Sequence, residues 1–188
     1  MNLIFLPIDI ELPDSILDLN LEKEHKESVR LTKYNPYWNS TIITESHSTF
    51  NIIKPIIDQL PFDNITTITH KIQDRAVGPH VDVYPDMIFQ EDELDNIKIN
   101  EPSGYRIVIN GQKDRLEIFN GKDWITPILP EIPCCYLINS TIMKHRVKED
   151  ENRELLYFRG FLNTEKHLEL IKKSYIKYGQ YAVEQQLL

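Results

Sequence analysis

The chain of 188 residues is long enough for one domain with a closed hydrophobic core. Its 29 acidic residues outnumber 21 basic ones and no cluster of Lys and Arg stands out, which argues against a nucleic-acid partner because phosphate backbones are bound by clustered positive charge. The sequence contains neither an apolar run that could span a membrane nor a signal peptide, so we expect a cytoplasmic protein with no membrane partner.

The N-terminal part of the chain predicts elements that flank the core. Apolar runs at 3–6, 28–32 and 41–44 indicate short strands, which we expect to form an outer sheet or part of a substrate wall. Ser48 then precedes an apolar stretch that contains Pro55. The pattern predicts a capped helix packed on the core, with Pro55 either kinking it or marking its first turn.

The triplet His80-Val81-Asp82 has the spacing of two metal ligands on one strand. A strand at 68–72 and a turn at 73–79 lead into it. Side chains at i and i+2 of a strand point to the same side, so His80 and Asp82 can meet one ion while Val81 points away. By itself such a triplet arises by chance, and a histidine near a strand end commonly has a surface or structural role.

A distant histidine completes the candidate site. His145 lies in a short strand-like stretch at 142–147. Two imidazoles and one carboxylate bind one face of Fe(II) and leave the opposite positions open, the ligand set of non-haem iron oxygenases. We therefore predict His80, Asp82 and His145 as metal ligands and as the catalytic centre.

The segment at 84–104 separates the triplet from the next predicted strand and is rich in Asp and Glu. Long segments without clear structure are often functional lids. One hypothesis is that it closes over the site and that its acids favour a cationic or amide substrate. The alternative is a solvated acidic insertion without a role in binding.

A β-rich stretch follows, with Asn-Gly pairs at 110–111 and 120–121. Both residues of such a pair tolerate positive φ, so each pair predicts a hairpin turn and the two together predict an antiparallel meander. Counting about eight strands in all, we predict a mainly β fold with flanking helices and a double-stranded β-helix core of the jelly-roll or cupin kind. The strand candidates in this part are 105–109, 116–119, 124–128, 135–138, the His145 strand and the Arg153 strand.

The last predicted strand begins at Arg153. Alternation places Arg153, Leu155, Tyr157 and Arg159 on one face of it. A guanidinium offers paired donors that match a carboxylate and stays charged when it is buried, so this face suits an acidic ligand. For Arg159, a surface ion pair is an equal alternative.

The C-terminal segment has apolar residues at helical spacing and predicts one amphipathic helix. We expect it to pack against the domain. Its distal half, with Tyr181 and Leu187, is an alternative dimer contact, so the protein is expected to be a monomer or a homodimer. The chain is thus read as one domain, with flanking elements at 1–62, the β-helix core at 63–163 and the helix at 164–188.

Several segments of the sequence, which include the His-x-Asp triplet and the distal histidine, resemble the Fe(II)/2-oxoglutarate-dependent dioxygenases, and within them the aspartyl/asparaginyl/proline hydroxylase branch. The resemblance covers about 65–162. It implies that the His-x-Asp pair and the distal histidine hold Fe(II), and that 2-oxoglutarate is the co-substrate. The segments that carry it are Val77-Gly-Pro-His-Val-Asp82, Gly104-Tyr-Arg-Ile-Val-Ile109, Leu137-Ile-Asn-Ser-Thr141, His145 and Asn152-Arg-Glu-Leu-Leu156.

The resemblance also implies roles for three arginines. Arg153, the arginine after the distal histidine, is expected to pair with the distal carboxylate of 2-oxoglutarate. Arg106 is expected near the carboxylate of the co-substrate or of the substrate. Arg159 follows Arg153 by the same step of six residues as the paired arginines of AlkB-type nucleic-acid dealkylases, where both contact 2-oxoglutarate.

The activity that the resemblance implies is hydroxylation of a C–H bond in an amino acid or a peptidyl residue, with succinate and CO2 as by-products. The expected partner is a small-molecule or peptide substrate, and ascorbate is an expected stimulant. Two alternatives stay open. One is an AlkB-type dealkylase of nucleic acid, and the other is a non-catalytic cupin-like binding protein in which the histidines are structural.

Overall fold

The structure, a computed structural model, describes residues 3–19, 38–73, 75–82, 104–140, 143–150 and 153–184. The strands in these ranges are β1 Leu3–Pro7, β2 Trp38–Ile43, β3 Phe62–Gln73, β4 Val77–His80, β5 Tyr105–Asn110, β6 Leu116–Phe119, β7 Trp124–Ile125, β8 Cys134–Ile138, β9 His145–Val147, β10 Arg153–Leu162 and β11 Val183–Glu184. The α-helices are α1 Phe50–Ile57 and α2 Thr164–Tyr178, and short 3-10 helices cover Asp14–Asp18 and Gly179–Tyr181.

The strands form two antiparallel sheets. The larger sheet has the order β11-β1-β8-β5-β10-β3-β2, and the smaller sheet has the order β4-β9-β6-β7. From β3 to β10 the chain passes back and forth between the sheets, since β3, β5, β8 and β10 belong to the larger sheet and β4, β6, β7 and β9 to the smaller one. This is the double-stranded β-helix, and the predicted mainly β, jelly-roll fold is confirmed.

The larger sheet separates two hydrophobic cores. On its outer face, Leu156 and Phe158 of β10 are fully buried in a cluster that includes Ile53 of α1 and partly buried residues of α2. On its inner face, Leu155 of β10 and Val108 of β5 pack in a second cluster with residues of the smaller sheet. The inner face is therefore the one that can present polar side chains to a cavity between the sheets.

Only one of the two predicted Asn-Gly hairpins forms. The pair at 120–121 joins β6 to β7, which are in register at Phe119 and Trp124, and the Asn120 side chain accepts hydrogen bonds from the main-chain N–H groups of Lys122 and Asp123. The pair at 110–111 instead carries the chain from the larger sheet to the smaller one. The predicted meander is wrong because β6 pairs with β9 and not with β5.

Both helices differ from their predicted limits. The N-cap residue of helix α1 is Thr49, one residue after the predicted Ser48, and its side chain forms no cap. Pro55 lies inside the helix near its C-terminal end. Helix α2 begins after Asn163, whose side chain accepts a hydrogen bond from the N–H of Lys166. It ends at Tyr178 instead of continuing, because the chain turns back through a 3-10 helix to place β11 beside β1.

Several predictions fall on residues outside the described ranges. They are the strand at 28–32, the acidic segment at 84–104 except Gly104, and the part of the terminal helix beyond residue 184 with its alternative dimer contact at Leu187. Within the described ranges, no helix combines the length and the apolar character needed to cross a membrane.

Candidate metal centre

The two predicted histidine ligands lie side by side on adjacent strands of the smaller sheet. His80 is the last residue of β4, His145 is the first residue of β9, and the two are directly paired in the register of these strands. Asp82 lies two residues beyond the end of β4, where its N–H donates to the carbonyl oxygen of Ser140 at 2.8 Å. The strand argument for His80 and Asp82 is therefore only half right, since a loop hydrogen bond, and not a strand, places the carboxylate. Val81 between them is 37% exposed and points outward, as predicted.

The three side chains converge on one point. Asp82 Oδ1 lies 3.6 Å from His80 Nε2 and 3.7 Å from His145 Nε2, and one ligand atom of each residue lies within 4.8 Å of the others. The Nδ1 atom of His80 is 2.8 Å from the carbonyl oxygen of Gly78, and that of His145 is 3.2 Å from the carbonyl oxygen of Met143. Nδ1–H donation to these carbonyls leaves both Nε2 lone pairs for a metal ion.

The charge states of Asp82 and His145 also suit a cation. Burial, together with repulsion by Arg106 and His80, lowers the pKa of His145 to about 4, so its imidazole is neutral near pH 7. Burial would raise the pKa of Asp82, but the hydrogen bond to His80 and the charge of Arg106 lower it far below its ordinary value. The neighbouring carboxylate of Asp82 raises the pKa of His80, and a metal ion bound at Nε2 would replace the proton there. Two imidazole nitrogens and an ionised carboxylate fit a divalent first-row metal.

Arg106 of β5 fixes the carboxylate of Asp82. Its Nη2 donates to Asp82 Oδ2 at 2.5 Å, to Ser140 Oγ at 2.9 Å and to the hydroxyl of Tyr157 at 3.2 Å. The second oxygen, Oδ1, is the one that faces both histidines. Arg106 therefore acts first as a positioning residue for a candidate metal ligand, and its expected place near the carboxylate of the co-substrate or of the substrate stays a prediction.

A cavity of about 90 Å³ extends from the candidate ligands into the space between the sheets. Arg153 lies in its wall, is 3% exposed, and donates to Gln73 Oε1 at 3.1 Å and to the hydroxyl of Tyr136 at 3.3 Å. These two contacts fix the plane of the guanidinium. Of the three arginines named from the sequence, Arg153 and Arg106 line the described cavity.

Arg159 takes a different position. It is absent from the described lining of the cavity, and its guanidinium carbon lies 4.5 Å from the centre of the Tyr157 ring. The pairing of β10 with β3 is irregular between Arg159 and Gly160, so the alternation that places Arg153 and Tyr157 on one face does not continue regularly beyond Arg159.

Sequence reasoning missed Lys71 of β3, which lines the cavity. Its Nζ lies 5.4 Å from the centre of the Tyr157 ring. Burial lowers its pKa to about 7, and the charges of Arg159, Arg106 and Arg153 act in the same direction against that of Asp82. Alternation along the predicted strand at 68–72 was the available signal, because it puts Lys71 on the same side as Gln73.

Comparisons with known proteins find distant likeness among solved structures. No protein-family model and no curated protein sequence matches the chain. A solved structure of an oxidoreductase of the 2OG-Fe(II) oxygenase family, from Burkholderia pseudomallei, aligns with 76% of this chain and 78% of that chain, with a TM-score of 0.42 and 12% sequence identity. What the metal centre does must therefore be inferred from its own residues.

Proposed function

We propose that the protein is an Fe(II)- and 2-oxoglutarate-dependent dioxygenase that hydroxylates a C–H bond of an amino acid or a peptidyl residue. The observation that carries the proposal is the pairing of two features in one cavity. The side chains of His80, Asp82 and His145 converge on one point, and a buried arginine, Arg153, lies in the wall of the cavity that they line.

His80, Asp82 and His145 would hold the metal through Nε2, a carboxylate oxygen and Nε2 respectively. When bound, Fe(II) with 2-oxoglutarate supplies the activation of dioxygen that converts the co-substrate to succinate and CO2 and hydroxylates the substrate. The protein's own contribution is to hold the donors ready. The carbonyl groups of Gly78 and Met143 fix the two imidazoles, and Arg106 fixes the carboxylate.

Arg153 would bind the distal carboxylate of 2-oxoglutarate. A guanidinium remains charged when it is buried and matches a carboxylate with two parallel donors, which a lysine does not. Gln73 and Tyr136 already hold the Arg153 side chain in one orientation. Little side-chain freedom is then lost when the anion binds, which favours affinity.

The charge of the cavity supports a dianionic co-substrate. Apart from the histidines, the charged groups that line its described part include two arginines, Arg106 and Arg153, and one carboxylate, Asp82, together with Lys71, whose pKa is lowered to about 7. With a divalent metal added, such a lining favours ligands of negative charge. Arg159 is absent from the described lining, which does not support the pair of co-substrate arginines on which the nucleic-acid dealkylase alternative was based.

The test is succinate formation without a prime substrate. Protein purified anaerobically is supplied with Fe(II), 2-oxoglutarate, ascorbate and oxygen, and succinate is measured for the unchanged chain, for His145→Ala and for His47→Asn. His47 lies before α1 and bonds to Thr44, so its substitution is the matched histidine control. We expect succinate from the unchanged chain and from His47→Asn, and none from His145→Ala.

A different result would favour the non-catalytic alternative. If the unchanged chain forms no succinate, and its Mn(II) form also fails to bind 2-oxoglutarate, the cavity serves a binding protein without this chemistry. Equal succinate from His145→Ala and the unchanged chain would remove His145 from the metal site.

A further inference from the structure

We propose that Gln73 determines the preference of the cavity for a 2-oxo acid that carries a second carboxylate, because it orients the guanidinium of Arg153 without neutralising it. The inference rests on the proposed function and adds a positioning residue to it. Gln73 is absent from the described lining of the cavity, so its influence on the co-substrate is exerted through Arg153.

Gln73 lies beside Arg153 in the larger sheet. It is the last residue of β3, and the register of β3 with β10 makes Arg153 its direct partner. On the other side of β3, Gln73 is paired with Trp38 of β2. Its side chain is fully buried. A polar group in such a position costs solvation energy unless it is hydrogen-bonded, so both ends of the amide need a partner.

The amide of Gln73 has both partners, and they allow it one orientation. Oε1 accepts a hydrogen bond from Nη1 of Arg153 at 3.1 Å, and Nε2 donates one to the carbonyl oxygen of Arg75 at 2.7 Å. A guanidinium only donates and a carbonyl oxygen only accepts, so the reverse orientation would satisfy neither. Arg75 lies in the connection from β3 to β4, the strand that ends at His80. The amide therefore fixes the guanidinium relative to the segment that leads to a metal ligand.

The hydrogen-bond partners of Arg153 are both neutral. They are Oε1 of Gln73 and the hydroxyl of Tyr136, and among the described residues no carboxylate forms an ion pair with this guanidinium. Arg106 in the same cavity is different, since Asp82 is its partner. A buried charge without an opposite charge beside it is costly, so a ligand that brings a carboxylate to Arg153 gains the full attraction.

A neutral amide at position 73 leaves this charge to the ligand. Gln73→Glu would place a carboxylate at the distance of an ion pair from Arg153, and the distal carboxylate of 2-oxoglutarate would then meet a guanidinium that is already neutralised. It would also turn an acceptor toward the carbonyl oxygen of Arg75, where a donor now lies. Gln73→Met would leave the charge but remove one of the two contacts that orient it.

The experiment compares two ligands, 2-oxoglutarate and 2-oxopentanoate. They share the 2-oxo acid group and the chain length, and 2-oxopentanoate ends in a methyl group in place of the second carboxylate. The Kd of each is measured by calorimetric titration of the Mn(II) form of the full chain. For the unchanged chain we expect 2-oxoglutarate to bind about 100-fold more tightly, because only this ligand brings a carboxylate to Arg153.

Variants assign this preference to Gln73. Gln73→Glu should reduce it to less than about fivefold and should leave the Kd of 2-oxopentanoate within about twofold, since that ligand has no carboxylate to place at Arg153. Gln73→Met should reduce the preference by a factor of about five, the effect of one lost hydrogen bond. The matched control is Gln180→Glu, the same chemical change at an exposed glutamine in the 3-10 helix Gly179–Tyr181, and it should keep the full preference. If Gln73→Glu does not fold, Gln73→Met serves as the test variant.

The outcomes separate the two proposals. If the unchanged chain does not bind 2-oxoglutarate, or binds both ligands equally, the proposed function is contradicted and this inference with it. If the unchanged chain prefers 2-oxoglutarate and the Gln73 variants keep that preference, the inference alone is overturned. An equal rise in the Kd of both ligands would also overturn it, because Gln73 would then support the fold of the site and not its selectivity.

Discussion

The two faces of β10 serve different parts of the molecule, although they belong to one strand of ten residues. Leu156 and Phe158 point outward into the core beneath the helices and are fully buried. Arg153 and Tyr157 point inward and line the cavity. Neighbouring residues of the same strand thus serve a hydrophobic core on one side and a polar site on the other.

Because of this difference, substitutions on the two faces should change different properties of the protein, its stability or its affinity for ligands. Burial of apolar surface stabilises the fold by roughly 25 cal/mol for each Å² removed from water. A buried charge costs solvation energy that only a well-placed partner recovers. Substitutions of Leu156 or Phe158 should therefore lower the free energy of unfolding. On the inner face, where Leu155 belongs to the second core, substitutions of Arg153 in the cavity wall should mainly change ligand affinity.

The largest effect is expected on the outer face, from Phe158→Ala. Phe158 has no exposed surface, and its loss leaves a cavity in the core that contains α1. We expect the free energy of unfolding to fall by about 3–5 kcal/mol, measured by urea denaturation. The affinity of the remaining folded protein for 2-oxoglutarate should be unchanged. A loss of less than about 1 kcal/mol would contradict the importance of this face.

The next effect is expected on the inner face, from Arg153→Met. Loss of the buried guanidinium should raise the Kd for 2-oxoglutarate by about 100-fold, which equals about 2.7 kcal/mol, because the carboxylate loses a charged partner. Calorimetric titration of the Mn(II) form measures it. The control is Arg146→Met, since Arg146 lies on β9 and bonds to Glu117 outside the cavity. Equal Kd values for the two variants would mean that a residue other than Arg153 binds the carboxylate of 2-oxoglutarate.

The inner face also shows how far the sequence predicts this site. Alternation along strands predicted which side Arg153 and Tyr157 would share, and the spacing of His80 and Asp82 predicted that they would converge. Periodicity describes a strand by itself, and it does not say which strand is the neighbour. The approach of Lys71 to Tyr157 follows from the pairing of β3 with β10, and this long-range pairing has no local signal.

Two other parts of the chain differed from prediction for the same reason. The Asn-Gly pair at 110–111 fits a hairpin, yet the chain leaves the larger sheet there because β10 and β8 already pair with β5 on both sides. The helical pattern after residue 164 is also local. It ends at Tyr178 because β1 offers an open edge to β11, a partner more than 170 positions away in the sequence.

The stability of the core on the outer face should depend on pH, because a histidine of α2 is buried there. His167 of α2 is 4% exposed and its Nδ1 lies 2.8 Å from the hydroxyl of Tyr105. Burial lowers its pKa to about 4 from the ordinary 6.5. Below about pH 6.5 the unfolded chain binds a proton that the folded protein does not, so stability is present above that pH and is lost as pH falls toward 4.

The expected loss from His167 is about 2 kcal/mol between pH 8 and pH 5. Urea denaturation at both pH values, for the unchanged chain and for His167→Gln, measures it. The contribution of His145, which also has a lowered pKa, is common to both proteins and cancels in the difference. Parallel pH profiles for the two proteins would show that folding does not lower the pKa of His167.

The smallest effect is expected from Gly111→Ala. Gly111 lies in the connection after β5, close to Arg153 of the inner face. Gly111 has a φ of +123°, and an added Cβ would lie 2.8 Å from Asp150 Oδ2 and 3.1 Å from Arg153 Cγ. We expect a loss of about 1–2 kcal/mol in stability, because the backbone is strained and the neighbours must shift. The Kd for 2-oxoglutarate should also rise about threefold to tenfold, since a displacement of Arg153 misaligns its guanidinium.

Gly121→Ala is the matched control, because Gly121 has a φ of +104° in the β6–β7 turn, away from the cavity. Both variants should lose stability, and only Gly111→Ala should lose affinity. A rise in Kd for both would mean that backbone strain alone, and not the position of Arg153, controls the binding of the co-substrate.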